Sequence, residues 1–262
     1  MKKQPTNCFS LLAKTCEKIG STSKKNEKIE IISAYISDLD EISLSIAVRF
    51  LSGRVFPAGS NLTLNIGFTI IMQSLSEIAI LDMKEIQNIH LKYGDIGAIA
   101  EYAVSKKHIV PLFNQQYDLD LDLSFLYDQF KKIANISGSG SNRIKKEILK
   151  GLLIACSPLE SKYLIKIITG EMRIGSVENL VEIAISKSFG KELKLVRDTT
   201  LISGDISQTA VLAQKNLLHN VTMKPFVPVS FMLADVMFSA EEIINYYNKT
   251  LICEYKYDGI RL

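Results

Sequence analysis

Across residues 7–220 the apolar residues recur at helical spacing, segment after segment, and each segment is bracketed by start and stop signals. Val177, Leu180, Val181, Ala184 and Ile185 fall at i, i+3, i+4, i+7 and i+8, one stripe on an α-helix. Ile144, Ile148, Leu149, Leu152 and Leu153 make nearly the same pattern. Ser157-Pro158-Leu159-Glu160 spells a capping box with proline at the first helical position, and Tyr163, Leu164, Ile167 and Ile168 follow it. Asp82 to Glu85 and Ser239 to Glu242 carry the same logic. Gly53, Gly94, Gly170 and Gly190 read as stops. No internal repeat stands out. The pattern predicts an all-α body of about ten to twelve helices, from typical helix lengths.

A chain of 262 residues with 47% hydrophobic content holds one large domain or two smaller ones. The net charge of +3 neither requires nor excludes nucleic acid, so the distribution of charge must decide. Cys8, Cys16, Cys156 and Cys253 have no CxxC spacing, and with three histidines a zinc site is not indicated. They read as reduced thiols. The N-terminus lacks an apolar stretch of signal-peptide length. The most apolar run, residues 64–81, contains Asn65, Gln73, Ser74, Ser76 and Glu77, which suits a buried helix better than a membrane span.

The character changes after His219. Pro225 and Pro228 sit in an apolar connection, residues 222–234, that cannot continue a helix. A helix is predicted over 240–249, then a strand over 251–256. On a strand Glu254 and Lys256 share a face, because side chains repeat every two residues. Asp258-Gly259 is a turn. A domain boundary is placed near Val221.

The last stretch reads E-x-K-x-D-G-x-R from Glu254 to Arg261. It resembles the nucleotide-attachment motif of the covalent nucleotidyltransferases: ATP-dependent DNA ligases, RNA ligases and mRNA capping enzymes. A lysine has an ordinary pKa of about 10.4 and is protonated at neutral pH. Arg261 and a bound Mg²⁺ would disfavour the ammonium form and help Lys256 attack an α-phosphate. Arg261 offers a fork to ribose or phosphate oxygens. Gly259 permits a tight turn, and Glu254 can accept from the exocyclic amine of adenine.

A second constellation lies at residues 136–146, I-S-G-S-G-S-N-R-I-K-K, where a small-residue loop opens onto a basic helix. Backbone N–H groups at a helix N-terminus favour a phosphate. From Gly138 to Arg173 seven Lys/Arg stand against three Glu, a net +4, more than the whole chain carries. That is the footprint expected on nucleic acid. The loop is no dinucleotide fingerprint, because Arg143 stands where a third glycine would and no strand precedes it.

The spelling C-E-Y-K-Y-D-G and the upstream Pro228-Val229-Ser230-Phe231-Met232-Leu233-Ala234 resemble the ATP-dependent DNA ligases of archaea and eukaryotes, with Phe231 where their second proline stands. The Gly-Ser loop, Lys150-Gly151-Leu152, Arg173-Ile174-Gly175, the segment Arg49 to Pro57, and Gly204-Asp205 resemble the helical DNA-binding domain of the same family, in the same order. The resemblance implies that Ser139, Gly140, Ser141, Arg143, Lys145, Lys146 and Arg173 contact duplex phosphates, which position a protein without reading sequence. Lys150 is expected to lie too near the apolar stripe to take part. Residues 106–113 stand where archaeal relatives carry a sliding-clamp peptide, but only Phe113 is aromatic. Asp118, Asp120, Asp122 and Asp128 lack the glycine and terminal glutamate of a calcium loop and read as a solvated helix start.

The fold expectation is all-α: a multi-helix DNA-binding domain over 1–220, then a linker and the first strand of a truncated α/β adenylation domain over 221–262. The functional expectation is an ATP-dependent DNA ligase sealing nicks through a lysyl-AMP on Lys256, with Glu254 and Arg261 on the nucleotide and ATP and Mg²⁺ as cofactors. The chain alone is expected to bind duplex DNA yet not ligate. Expected partners are nicked duplex DNA and, less directly, a sliding clamp; a monomer, cytoplasmic or nucleoid-associated, is expected, with no membrane. The alternatives are a helical DNA-binding or scaffold module without catalysis, and an RNA ligase or capping-type enzyme.

Overall fold

The computed structural model describes residues 7–57, 59–107, 121–175, 178–223, 229, 236–247 and 249–255. The chain divides into two compact units, Met1–Ser230 and Phe231–Leu262. Among its described residues the first unit holds twelve α-helices and no sheet. They are α1 (Phe9–Ser21), α2 (Lys25–Ser37), α3 (Glu41–Leu51), α4 (Phe68–Ala79), α5 (Met83–Tyr93), α6 (Ile96–Ser105), α7 (Leu123–Asn135), α8 (Ser141–Ala155), α9 (Pro158–Thr169), α10 (Glu178–Ser188), α11 (Leu193–Ser203) and α12 (Ile206–Gln214). A 3₁₀ turn, Leu218–Asn220, follows α12, and the second unit holds α13 (Ala240–Tyr247).

The helices begin where their local chemistry dictates. Ser157 Oγ accepts from the Glu160 N–H at 3.3 Å, and the Glu160 carboxylate accepts from the Ser157 N–H at 2.8 Å. Asp82 and Glu85 make the same reciprocal pair at 2.7 and 2.8 Å. Ahead of α13, Ser239 caps the Glu242 N–H at 3.1 Å, while Glu242 reaches past it to the Phe238 N–H at 3.2 Å. The four stop glycines all have φ between 60° and 73°, the left-handed conformation that ends helices.

Helix α6 packs on α9, α2 on α10, α3 on α12, and α4 on α8. Phe9, Leu12, Ile32, Ile36, Phe50 and Phe130 are fully buried between them. Phe50 and Phe130 meet edge to face with centroids 5.8 Å apart, a geometry worth about 0.5–1.5 kcal/mol beyond area burial. The α6–α9 approach depends on Gly97. A β-carbon there would stand 2.7 Å from Lys166 Cε and 2.9 Å from the Lys162 carbonyl. An isolated antiparallel bridge, Cys8 to Asp122, ties the start of α1 to the start of α7. Leu180, Val181, Ala184 and Ile185 are buried as their spacing predicts, and Val177 lies outside the described residues. The apolar run forms α4, and no described helix is long and apolar enough to cross a membrane. Cys8, Cys16, Cys156 and Cys253 are free thiols, and Cys253 alone is exposed.

Two expectations need correction. Ile144 is 49% exposed, and the buried face of α8 starts one residue later, at Lys145. Lys145, Leu149, Leu152 and Leu153 are themselves at i, i+4, i+7 and i+8, so the helix turns its first apolar residue outward and lays a lysine stem along the core. In the second unit, residues 251–255 join no sheet. A strand is defined by its ladder, and no partner strand lies among the described residues. The helix predicted over 240–249 is shorter, ending at Tyr247, and none of its residues is buried within the unit.

Candidate nucleic-acid interface

Residues 136–140 turn the chain from α7 into α8. Gly138 and Gly140 hold φ of 85° and 81°, backbone that a β-carbon disfavours. A β-carbon at either position would meet nothing within 4 Å. Backbone shape, not packing, therefore demands these glycines, and the space before the turn is open. Ser139, Gly140, Asn142 and Arg143 are exposed, and Ser141 is half-buried. Gly140 stands at the N-cap of α8 and contributes no side-chain cap. The Ser141 N–H reaches back to the Gly138 carbonyl at 3.3 Å, and the Arg143 and Ile144 N–H groups share the Gly140 carbonyl at 3.1 and 3.3 Å. The N–H groups of Ser139, Gly140 and Asn142 have no acceptor among the described residues. Open N–H groups at the positive end of a helix can hold an anion.

The basic residues behind this turn behave differently. Arg143 is exposed and has no intramolecular partner among the described residues. The Lys146 ammonium meets Glu77 Oε1 at 2.6 Å, and Lys150 meets Glu77 Oε2 at 2.6 Å. Hydrogen bonds from Lys146 and then Lys150 hold the Glu77 carboxyl below the usual carboxylate range. Lys145 is 4% exposed and donates to the Leu64 carbonyl at 2.8 Å. Its ammonium is therefore turned into the fold, on the loop ahead of α4, and away from any duplex outside. Arg173 is exposed, with φ of 47°. It donates to the Gly94 carbonyl at 3.0 Å and to Glu171 at 2.8 Å. Further along, Lys162 pairs with Glu17 at 2.8 Å and Lys166 with Asp95 at 2.9 Å. The positive excess counted along residues 138–173 is thus largely answered by acids that other helices bring. The open anion-holding feature is the backbone turn with Arg143, and Lys146 lies one helical turn behind it.

Sequence reasoning missed Glu77. It lies 69 residues from Lys146, and nothing local announces the pair. It missed Lys107 as well, whose ammonium donates to the carbonyls of Ile154 and Cys156 at 2.9 and 3.2 Å and so satisfies the C-terminal end of α8. The rest of the predicted clamp segment, residues 108–113, lies outside the described residues, as do Asp118 and Asp120. Asp122 caps α7 by accepting from the Ser124 N–H at 2.6 Å, and Asp128 pairs with Lys131 at 2.7 Å. No cluster of metal-ligating side chains occurs among the described residues. Of the nucleotide motif, Glu254 is described and exposed, whereas Lys256 and Arg261 lie outside the described residues.

Comparison with known proteins bears on the same stretch. The family described as "DNA ligase N terminus" matches residues 8–216. A probable DNA ligase of Koribacter versatilis is 36% identical over 97% of this chain and 42% of its own length. The DNA ligase of Archaeoglobus fulgidus is 30% identical over 97% of this chain and 46% of its own, and that of Methanothermobacter thermautotrophicus 31% identical over 96% and 45%. The chain spans less than half the length of these relatives. The match runs from the bridge at Cys8 through α12, covering the Gly-Ser turn and every helix that supports it, so this chain belongs to the DNA ligase N-terminal family.

Proposed function

We propose that this chain is the nucleic-acid-binding portion of an ATP-dependent DNA ligase, with residues 1–220 gripping nicked duplex DNA and residues 221–262 opening the adenylation domain. The observation that carries the reading is the open turn at residues 138–143, inside a helical body whose relatives are named DNA ligases. Ser139, Gly140, Ser141 and Arg143 take duplex phosphate, through backbone N–H groups, hydroxyls and one guanidinium. Such contacts hold any sequence alike and weaken steeply with salt. Lys146 reinforces the turn only by exchanging Glu77 for phosphate. Arg173 is the outermost contact. Lys145 serves by fixing the first turn of α8 against the Leu64 loop, in place of the direct contact its sequence position suggests.

The chemical half of the proposal rests on the motif. Lys256 is the nucleophile toward the α-phosphate of ATP, Arg261 holds phosphate or ribose oxygens, and Glu254 accepts from the base. Exposed Glu254 is open to such a ligand. Mg²⁺ would supply charge neutralisation on the triphosphate. A lysyl-AMP formed in this way passes AMP to a 5′-phosphate, and the 3′-hydroxyl then seals the nick. In a protein carrying this chain with a full nucleotidyltransferase domain, Lys256→Ala should abolish the covalent AMP adduct formed with radiolabelled ATP and leave nicked-duplex binding nearly unchanged. An adduct that persists in the variant would remove Lys256 from its role.

A further inference from the structure

We propose that the groove between α3, α7 and α12 binds a single carboxylate group presented by a partner polypeptide, through the guanidinium of Arg49. The groove has a volume of about 600 Å³. Arg49 lines it at 6% exposure. Its Nη2 donates to the hydroxyls of Ser45 at 3.1 Å and Ser207 at 2.9 Å. Its Nε–H is buried and has no acceptor among the described residues. A buried cation normally carries a charge-assisted partner, and an unmet donor of this kind costs stability. The guanidinium centre lies 5.3 Å from the Tyr127 ring centroid, and Lys131 Nζ lies 5.1 Å from the same ring.

The other charged groups of the wall are answered from within. Lys131 holds Asp128 at 2.7 Å, and Lys215 holds Glu41 at 2.6 Å. Asp205 accepts from the Ser207 N–H at 2.9 Å and its hydroxyl at 2.7 Å at the start of α12. Asp205 therefore reaches Arg49 only through the Ser207 hydroxyl, and no carboxylate oxygen touches Nε. One oxygen of an incoming carboxylate satisfies that N–H, and the Ser45 hydroxyl beside it is a second donor. The carrier is argued from the rest of the wall. Glu41, Asp128 and Asp205 would repel a run of phosphates, which disfavours a nucleic-acid backbone here. Ile42, Ile46 and Val211 supply apolar walls for the residues flanking one acidic side chain. The volume falls in the range of ligand clefts, about 300–1,000 Å³. None of this depends on the ligase reading.

The test follows the Arg49 Nε–H resonance by ¹H–¹⁵N NMR in the whole chain, assigned through its loss in Arg49→Lys. Titration with sodium acetate should shift it saturably, and sodium chloride at equal ionic strength should not. The blocked tripeptide N-acetyl-Leu-Asp-Leu amide should bind about tenfold more tightly than acetate, because its leucines cover the apolar walls. Ser45→Ala, which keeps the helix, should weaken both. Absence of a saturable shift would overturn the proposal. A tripeptide no tighter than acetate would remove the polypeptide partner. A response to inorganic phosphate or nicked duplex DNA without one to acetate would assign the groove to the nucleic-acid face and overturn the carboxylate.

Discussion

Arg143 and Lys166 belong to one basic segment and live in opposite surroundings. Arg143 stands exposed on the first turn of α8, beside open backbone N–H groups. Lys166 lies buried on α9, its ammonium 2.9 Å from Asp95 and its stem packed under Gly97 of α6. A count of charges treats the two alike. The fold turns one cation outward and uses the other to hold two helices together. A basic run is thus a footprint only where its partners are absent, and the partners come from distant parts of the chain.

The contrast breaks first, and by the largest margin, at the buried end. Lys166→Ala should cost about 2–3 kcal/mol in chemical denaturation, short of the ~3–5 kcal/mol of a fully buried pair because the Asp95 side chain keeps 23% of its exposure. Duplex binding by the folded variant should be unchanged. A variant that folds normally and loses DNA would place α9 in the interface instead.

Next comes Lys145, the residue that sequence position assigns to DNA and the fold assigns to the Leu64 carbonyl. Lys145→Met keeps the stem and removes the donor. It should cost about 1–3 kcal/mol of stability, the penalty of a buried acceptor left unpaired. The salt dependence of duplex binding should keep its slope. A slope that falls by about one, the signature of a lost phosphate contact, would return Lys145 to the interface.

A smaller effect follows from pH. Burial pushes the Asp95 carboxyl up, but the Lys166 ammonium, followed by the Ala98 N–H, outweighs it and leaves the group below its ordinary 3.8. A depressed carboxylate stabilises the fold above its unfolded pKa, and that contribution is lost as pH falls through the folded value. Asp95→Asn should therefore flatten the fall in stability below pH 3.8, the ordinary value for this group. An unaltered acid limb would mean that the pair contributes nothing.

Much of this was legible in the sequence, and the boundary is physical. Helix starts and stops were readable because their chemistry is local: Ser157 with Glu160, Asp82 with Glu85, and the left-handed glycines. The Gly-Ser turn was readable for the same reason. The burial of Lys145 was half-legible, since Lys145, Leu149, Leu152 and Leu153 share a face, but the apolar Ile144 drew the stripe one residue off. Glu77 was not legible. Its grip on Lys146 and Lys150 depends on how α4 docks on α8, which no spacing along the chain encodes. The same holds for Gly97, whose missing β-carbon matters only once α9 lies against it. For the nucleotide motif the sequence remains the whole argument, because Lys256 and Arg261 lie outside the described residues.

The central claim is that the backbone turn at the start of α8 holds phosphate while the α9 cations stay internal. Backbone amide NMR during titration with a nicked duplex tests it most directly. The N–H resonances of Ser139, Gly140, Ser141, Asn142 and Arg143 should move together and saturate, and to return when salt is raised. The amides around Lys162 and Lys166 should stay in place. Saturable shifts across α9 with a silent turn would contradict the account.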